Sequence, residues 1–133
     1  MLADAYPDVA DGIADNVGVN PRDLDQVYKT SGVIILGQDY RPGCCLVLDY
    51  VDDLPQFGIV EAIIIINDLK LFIVECLHVE YFVISIMSYV LGSTNKRVSV
   101  QYSQLFSKWP LSVYAYAGKK CVINEYSHTC ELL

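Results

Sequence analysis

Residues 57–75 read FGIVEAIIIINDLKLFIVE, two strongly apolar runs separated by Asn67-Asp68. Branched side chains are favoured on a pleated surface, and a two-residue loop of this kind is typical of a tight hairpin. We predict an antiparallel hairpin in which Ile66 pairs with Leu69. One face then has the longer apolar run and is expected to face the core. It holds Val60, Ala62, Ile64, Ile66, Leu69, Leu71, Ile73 and Glu75, and the other face holds Glu61, Ile63, Ile65, Lys70, Phe72 and Val74.

The same kind of pattern, short apolar runs between turn residues, continues through residues 27–133. Eight strands are predicted at residues 33–36, 44–51, 57–66, 69–79, 81–91, 98–102, 112–117 and 120–126. Gly118-Lys119 is predicted to be a second hairpin loop of type II′, and residues 103–109 a single helical turn ended by Pro110. We therefore expect an all-β domain with minor α content, a small and strongly bent barrel that is Tudor-like or similar.

The charge of the chain is uneven. The 133 residues are 53% hydrophobic and carry 16 acidic and 9 basic side chains, a net charge of −7. Residues 1–26 contain six Asp and one Arg, a net −5, and are predicted to be an acidic, mostly flexible arm. The remainder is nearly neutral and has no basic stripe to neutralise phosphates. A protein or a basic peptide is therefore the expected partner, and binding of nucleic acid by this chain alone is not expected.

Composition also suggests the compartment. The first twelve residues lack the positive and apolar regions of a signal peptide, and five Cys is an odd number without framework spacing. These features predict reduced thiols and an intracellular location, in the cytoplasm or the nucleus. The longest uncharged apolar stretch, residues 81–95, is shorter than the ~20 residues that span a bilayer, so we expect no membrane segment.

Two Cys–His pairs are candidate metal ligands. Cys76 and His78 are two positions apart, as are His128 and Cys130, and residues two apart on a strand share a face. If the two strands met, the four side chains would form a tetrahedral zinc site. The alternative is that Cys76 packs in the core with His78 near the surface, because the ligand spacing typical of zinc knuckles is missing.

An acidic cluster at residues 49–53 is the candidate for catalysis. Tyr50-Val51-Asp52-Asp53 matches the metal-binding turn of reverse transcriptases, where adjacent carboxylates hold Mg²⁺ for phosphoryl transfer. Phosphoryl transfer by a polymerase also needs a third carboxylate from another strand and a large domain that holds primer and template. A chain of 133 residues is too short to form that domain. The alternative is a polar turn after a strand, closed by Pro55. The chain has no glycine-rich phosphate loop or nucleophile elbow, and we expect no cofactor.

Two further features concern polar groups in apolar runs. Glu75 falls on the predicted core face near Leu71 and Ile73, so it is expected to be paired, to lie at an edge, or to have a raised pKa in a pocket. The adjacent Cys44 and Cys45 have no His nearby in sequence and are expected to be buried apolar thiols.

The aromatic residues suggest a binding site. Their rings could surround a methylated lysine, with Asp52 or Asp53 supplying the negative charge. The alternative is that these rings pack in the core or coat its surface. The candidates are Tyr40, Tyr50, Phe57, Tyr81, Tyr89 and Trp109.

The region of residues 28–127 resembles a known family. The matching residues are Leu54-Pro55-Gln56-Phe57-Gly58, Ile59, Ile63, Phe72-Ile73-Val74, Tyr81-Phe82, Tyr89, Leu105, Pro110-Leu111 and Tyr114. The pattern is similar to an uncharacterised C-terminal domain of animal proteins, often transposon-derived or bearing zinc fingers. Members carry a His shortly before the closing Tyr, where this chain has Ile84-Ser85-Ile86, so the resemblance implies no His-based site.

These observations predict a non-catalytic interaction module, inherited from a mobile element if the resemblance holds. One alternative is a small metal-binding protein or enzyme that uses the Cys–His pairs or the 49–53 cluster. A deep pocket with converging polar groups would favour that class. The other alternative is a structural dimerisation domain that forms a homodimer, because so apolar a chain needs a large buried surface.

Overall fold

The computed structural model describes residues 28–66 and 69–123. These residues form nine strands and two short 3₁₀ turns, at Ile84–Ile86 and Tyr102–Gln104. The strands are β1 Tyr28–Thr30, β2 Val33–Ile35, β3 Gln38–Tyr40, β4 Cys45–Val51, β5 Leu54–Ile66, β6 Leu69–Val83, β7 Ser88–Gln101, β8 Val113–Tyr116 and β9 Lys119–Ile123. The predicted all-β class is confirmed. The predicted arm, residues 1–26, lies outside the described residues.

One antiparallel sheet of seven strands dominates the structure. Its order is β1-β5-β6-β7-β9-β8, with β4 also paired to β5, and β2 and β3 form a separate hairpin. The two ends of the sheet approach at a single bridge, where Cys45 and Leu111 exchange backbone hydrogen bonds of 2.9 and 2.8 Å. No ladder of the described residues continues this bridge, and the sheet is not closed into a barrel.

The β5–β6 hairpin has the predicted register. Ile66 pairs with Leu69 and Ile64 pairs with Leu71. The expectation that one face alone meets the core was incomplete, because Ile63 and Phe72 on the opposite face are fully buried as well. Both faces are covered here because the β2–β3 hairpin, β4 and residues near 105 pack on the side of Phe72.

The described core has two clusters on opposite faces of the sheet. The first cluster consists of Tyr40, Leu46, Val60, Ile63, Phe72, Val74 and Leu105. The second cluster consists of Cys45, Val47, Phe57, Leu77, Leu91, Leu111 and Val122. Successive residues of β4 alternate between them, as period-two burial requires.

β-Bulges bend the long strands. An extra residue in β5, Glu61, moves Val60 onto the face of Phe72, so the predicted face of Val60 was wrong.

A second bulge, in β7, is held by the Thr94 hydroxyl, which donates to the carbonyl of Cys76 at 2.7 Å. Asn95 in this bulge has a positive φ of 58°. Such extra residues increase the local twist of a strand.

The predicted strand boundaries need several corrections, and residues 88–101 form one strand where parts of two, 81–91 and 98–102, were predicted. Residues 69–83 form one strand and not parts of two, because a 3₁₀ turn and the left-handed Met87 (φ 50°) end it later than predicted. β3 lies between the predicted strands 33–36 and 44–51, where no strand was predicted. In the last hairpin Tyr116 pairs with Lys119, so the loop is Ala117-Gly118. Both loop residues have positive φ, which makes a type I′ turn and not the predicted type II′.

Candidate functional site

The YVDD motif forms the turn of the β4–β5 hairpin. Val51 pairs with Leu54, and the two intervening residues, Asp52 and Asp53, have φ values of 52° and 64°. Two left-handed residues define a type I′ turn, and aspartate tolerates that conformation better than most residues. Both side chains are exposed. The motif is therefore a tight polar turn at the tip of a hairpin.

An aromatic pair lies beside this turn. The rings of Tyr50 and Phe106 are 5.0 Å apart between centroids and inclined at 48°. Tyr50 is half-buried, whereas 54% of Phe106 is exposed. Tilted rings at this distance attract each other beyond simple burial. The exposed ring of Phe106 is nevertheless a large apolar group left in water.

Phe106 reaches Tyr50 because residues 105–111 are fixed alongside β4. Leu105 is buried in the first cluster, which anchors one end of the segment. The Ser107 N–H donates to the carbonyl of Val47 at 3.5 Å, and the Leu111–Cys45 bridge fixes the other end. Trp109 lies in the same segment and is 63% exposed.

The charge around the pair is negative. Asp49, Asp52 and Asp53 are exposed, and residues 49–54 contain no Lys or Arg. A carboxylate oxygen of Asp49 accepts the backbone N–H of Tyr50 at 2.7 Å, which orients it. Lys108 is directed elsewhere, since its ammonium donates to the carbonyl of Leu105 at 3.0 Å and lies 5.1 Å from the ring centroid of Tyr102. We call Phe106 and residues 49–54 the aromatic–acidic surface.

The other predicted aromatic residues lie elsewhere. Phe57 packs against Tyr89 at 5.7 Å between centroids, and Tyr89 against Phe82 at 4.9 Å. Burial raises the pKa of the Tyr89 phenol. Tyr40 is fully buried in the first cluster, whereas Tyr81 is half exposed on β6. Of the predicted set, only Tyr50 and the two turn aspartates belong to the aromatic–acidic surface, and Trp109 is exposed in the segment that carries Phe106.

The metal hypothesis is covered only in part by the described residues. Cys76 is half-buried and pairs with Lys96, and the exposed His78 pairs with Gly92 on β7. His128 and Cys130 lie outside the described residues. Within residues 28–66 and 69–123, no three His, Cys, Asp or Glu side chains are grouped so that they could hold a metal ion.

Glu75 is paired, and of the two adjacent thiols Cys45 is buried as predicted, whereas Cys44 is only half-buried. The Ser93 hydroxyl donates to the Glu75 carboxylate at 2.8 Å, and Arg97 is opposite Glu75 in the β6–β7 register. Burial raises the pKa of the Cys44 thiol and raises that of Cys45 to about 12. Cys45 therefore stays in its unreactive thiol form at neutral pH, whereas a cysteine nucleophile needs the thiolate.

A cavity of about 450 Å³ lies beside the β2–β3 hairpin and is lined by Ser31, Gly32, Val33, Ile34, Asp39 and Arg41. Its charged groups bind each other, with Arg41 Nε 2.9 Å from an Asp39 carboxylate oxygen, and both are largely exposed. Because Arg41 and Asp39 neutralise each other and are surrounded by water, they do not provide the unpaired, desolvated charge that a catalytic site uses to polarise a substrate.

Phe106 is not among the aromatic residues that the sequence pattern predicts for the site. The residue was assigned to a helical turn, and its contact with Tyr50 depends on the path of a segment distant in sequence. None of the described residues forms a helix that is long and apolar enough to cross a membrane. The chain matches no protein-family model, no curated protein and no solved structure.

Proposed function

We propose that this protein is a non-catalytic interaction module that binds a basic peptide segment of a protein partner on the aromatic–acidic surface. The observation that carries the proposal is the Tyr50–Phe106 pair, partly in solvent and next to a turn of two aspartates. Aromatic rings attract Lys and Arg side chains through their π faces, and carboxylates add directional hydrogen bonds.

The surface is built to be rigid, which favours binding. Its turn is a two-residue hairpin, its aromatic segment is anchored by Leu105 and by the Leu111–Cys45 bridge, and Asp49 is oriented by a backbone hydrogen bond. A preorganised surface loses little conformational entropy when a partner binds. An extended peptide could lie across the rings with its basic side chains beside the aspartates.

We place this activity inside the cell. Cys44, Cys45, Cys76 and Cys121 are free thiols in the described part of the chain. Free cysteines that are not paired in disulfides are typical of reducing compartments.

The proposal is tested by titrating the full chain with a lysine-rich peptide and following binding by calorimetry at two salt concentrations. The expected result is saturable binding that weakens with salt, since exposed charges are screened. F106A is expected to weaken binding about tenfold, the loss of one cation–π contact of about 1–2 kcal/mol. D52N/D53N keeps a residue type that tolerates positive φ and is expected to reduce the salt dependence.

Y28A is the matched control, because Tyr28 is a similarly exposed aromatic residue on β1, outside the aromatic–acidic surface. It is expected to bind like the wild type. The proposal is wrong if the lysine-rich peptide does not bind, if a glutamate-rich peptide binds equally well, or if Y28A loses as much affinity as F106A.

A further inference from the structure

The turn of the β2–β3 hairpin carries a large apolar side chain in water. Ile35 pairs with Gln38, so the two residues of the turn are Leu36 and Gly37. Their φ values of 49° and 82° make a type I′ turn. Leu36 is 88% exposed, the highest value among the large apolar side chains of the described residues.

Neither the turn nor burial explains a leucine at this position. Type I′ turns favour Asn, Asp or Gly at their central positions, because a side chain such as that of leucine is strained in the left-handed conformation. The same position of the other two type I′ turns in the described structure is held by Asp52 and Ala117. Leu36 therefore combines a strained backbone with an exposed apolar side chain, and departures of this kind are expected at interaction sites.

A cavity with largely apolar walls lies beside this turn, and we call it the tip cavity. Its volume is about 190 Å³. An apolar cavity of about 150 Å³ holds a benzene molecule, so the tip cavity is large enough for the four carbons of one leucine side chain. Because Ile35 lines the cavity and precedes Leu36, both features lie on one surface. The lining residues are Ile35, Leu69, Lys70, Gln101, Tyr102 and Ser103.

We propose that the protein forms a two-fold symmetric homodimer in which Leu36 of each subunit occupies the tip cavity of the other. A two-fold axis brings the same surface of two copies together, so each contact occurs twice. One interface therefore uses both leucines and both cavities and leaves neither for a third copy. The tip cavity shares no residue with the aromatic–acidic surface, so this dimer is independent of peptide binding.

The charges agree with a second copy as the occupant. Asp39 is the charged residue nearest the turn, and it binds Arg41 through one carboxylate oxygen and keeps a second. Lys70 lines the tip cavity and takes part in none of the ion pairs found among the described residues. Insertion of Leu36 brings the carboxylate of Asp39 towards the ammonium of the partner's Lys70, and opposite charges favour that arrangement.

The size of the contact sets the expected strength of the dimer. One hairpin turn and one cavity in each subunit bury less than the roughly 800 Å² per partner of a standard interface. Interfaces at the small end of the range belong to weak and transient complexes. We therefore expect a reversible dimer with a Kd in the micromolar range.

Analytical ultracentrifugation of the full chain, from about 1 μM to about 1 mM, tests the proposal. The wild type is expected to show a monomer–dimer equilibrium without larger species. L36N introduces a residue that the turn favours, so it should fold at least as well. It is expected to raise the Kd about 100-fold, since the dimer loses two buried leucines, each of them contributing about tenfold. I84N is the matched control, because Ile84 is 78% exposed in a 3₁₀ turn outside the tip cavity. It should dimerise like the wild type.

A mixture of two variants tests the mutual insertion directly. Ser103 is exposed at the cavity, and S103W fills the cavity with a large ring, so this variant should dimerise as weakly as L36N. In the mixture the S103W copy supplies Leu36 and the L36N copy supplies an open cavity. One of the two contacts is restored, and the heterodimer is expected to be about tenfold tighter than either variant alone.

The proposal is wrong if the wild type remains monomeric up to about 1 mM, if L36N dimerises like the wild type, or if I84N weakens the dimer as much as L36N. Larger species that grow with concentration would also overturn it, because they would place Leu36 in a contact that does not close. A mixture that associates no better than its components would contradict mutual insertion and assign Leu36 to a different partner.

Discussion

The Tyr40 hydroxyl donates a hydrogen bond to the backbone carbonyl of Lys108, 68 positions further along the chain. The ring of Tyr40 packs against Phe72, with centroids 5.3 Å apart, and is fully buried. One side chain thus connects the β2–β3 hairpin to the core and to the segment that carries Phe106. The aromatic–acidic surface depends on this connection for its shape.

Y40F is expected to lower the free energy of unfolding by about 1–2 kcal/mol, because it leaves the carbonyl of Lys108 without that donor while the ring still packs. Urea unfolding at neutral pH, followed by the fluorescence of Trp109, measures the change. A loss of less than about 0.5 kcal/mol would show that water replaces the phenol at no cost.

Alkaline pH is expected to destabilise the fold through the same residue. Burial, followed by the nearby Tyr102, raises the pKa of Tyr40 to about 12, above the value near 10 of an exposed phenol. The unfolded chain therefore loses its proton first, so stability is intact below pH 10 and falls as the pH rises from 10 to 12. Y40F has no phenol at this position, so its free energy of unfolding lacks this loss between pH 10 and 12. The difference in free energy of unfolding between the wild type and Y40F should therefore become smaller over that range. A gap that stays constant would contradict the shift.

G58A and G92A are expected to differ, although both add one methyl group to a strand glycine. At Gly58 a Cβ would lie 3.0 Å from Leu48 Cδ1 and 3.0 Å from Val74 Cγ2, both held by packing. Overpacking of this kind costs about 1–3 kcal/mol. At Gly92 the nearest atom is Cε1 of His78, at 2.6 Å, but that ring is exposed and can rotate away. Chemical denaturation should show a clear loss for G58A and under about 1 kcal/mol for G92A, and equal losses would refute the comparison.

The thiols are expected to alkylate in the order of their burial. Cys45 is inaccessible and burial raises its pKa to about 12, whereas Cys76 is half-buried with a smaller rise from burial. Because the thiolate is the reactive form, iodoacetamide at pH 8 should modify Cys76 well before Cys45. Peptide mass spectrometry after quenching gives both rates, and the same reaction in denaturant is the control in which they converge. Comparable rates in the folded protein would argue against a buried Cys45.

A117N is expected to stabilise the β8–β9 hairpin. Ala117 has φ 52° in the type I′ turn, a conformation that costs an alanine about 1 kcal/mol and that asparagine tolerates. The midpoint of urea unfolding should rise by an amount that corresponds to about 0.5–1 kcal/mol. A115N on the adjacent strand is the control and should be neutral or slightly destabilising. A lower midpoint for A117N would show that the turn gains nothing from the better residue.

Local patterns predicted the parts of the fold that depend on neighbours in sequence. The Ile66–Leu69 register follows from two apolar runs and a two-residue loop, and the all-β class follows from branched residues between turns. The bulge at Glu61 could not be predicted, because an extra residue leaves the apolar alternation on both sides looking regular. It placed Val60 on the opposite face.

The candidate site was predictable only in its turn. Asp52-Asp53 before Pro55 has the composition of a polar turn, and that turn is present. The contact of Tyr50 with Phe106 was not predictable, since it is set by the anchoring of Leu105 and Leu111 and no short sequence pattern encodes it. Sites made by long-range packing need the fold before they can be recognised.

The bridge between Cys45 and Leu111 has a consequence for the order of folding. The β5–β6 hairpin closes a loop of two residues, whereas the bridge closes one of more than sixty, at a much larger entropic cost. We therefore expect the hairpin to form early and the bridge after the rate-limiting step. Substitutions at Leu111 would then accelerate unfolding and leave the refolding rate nearly unchanged.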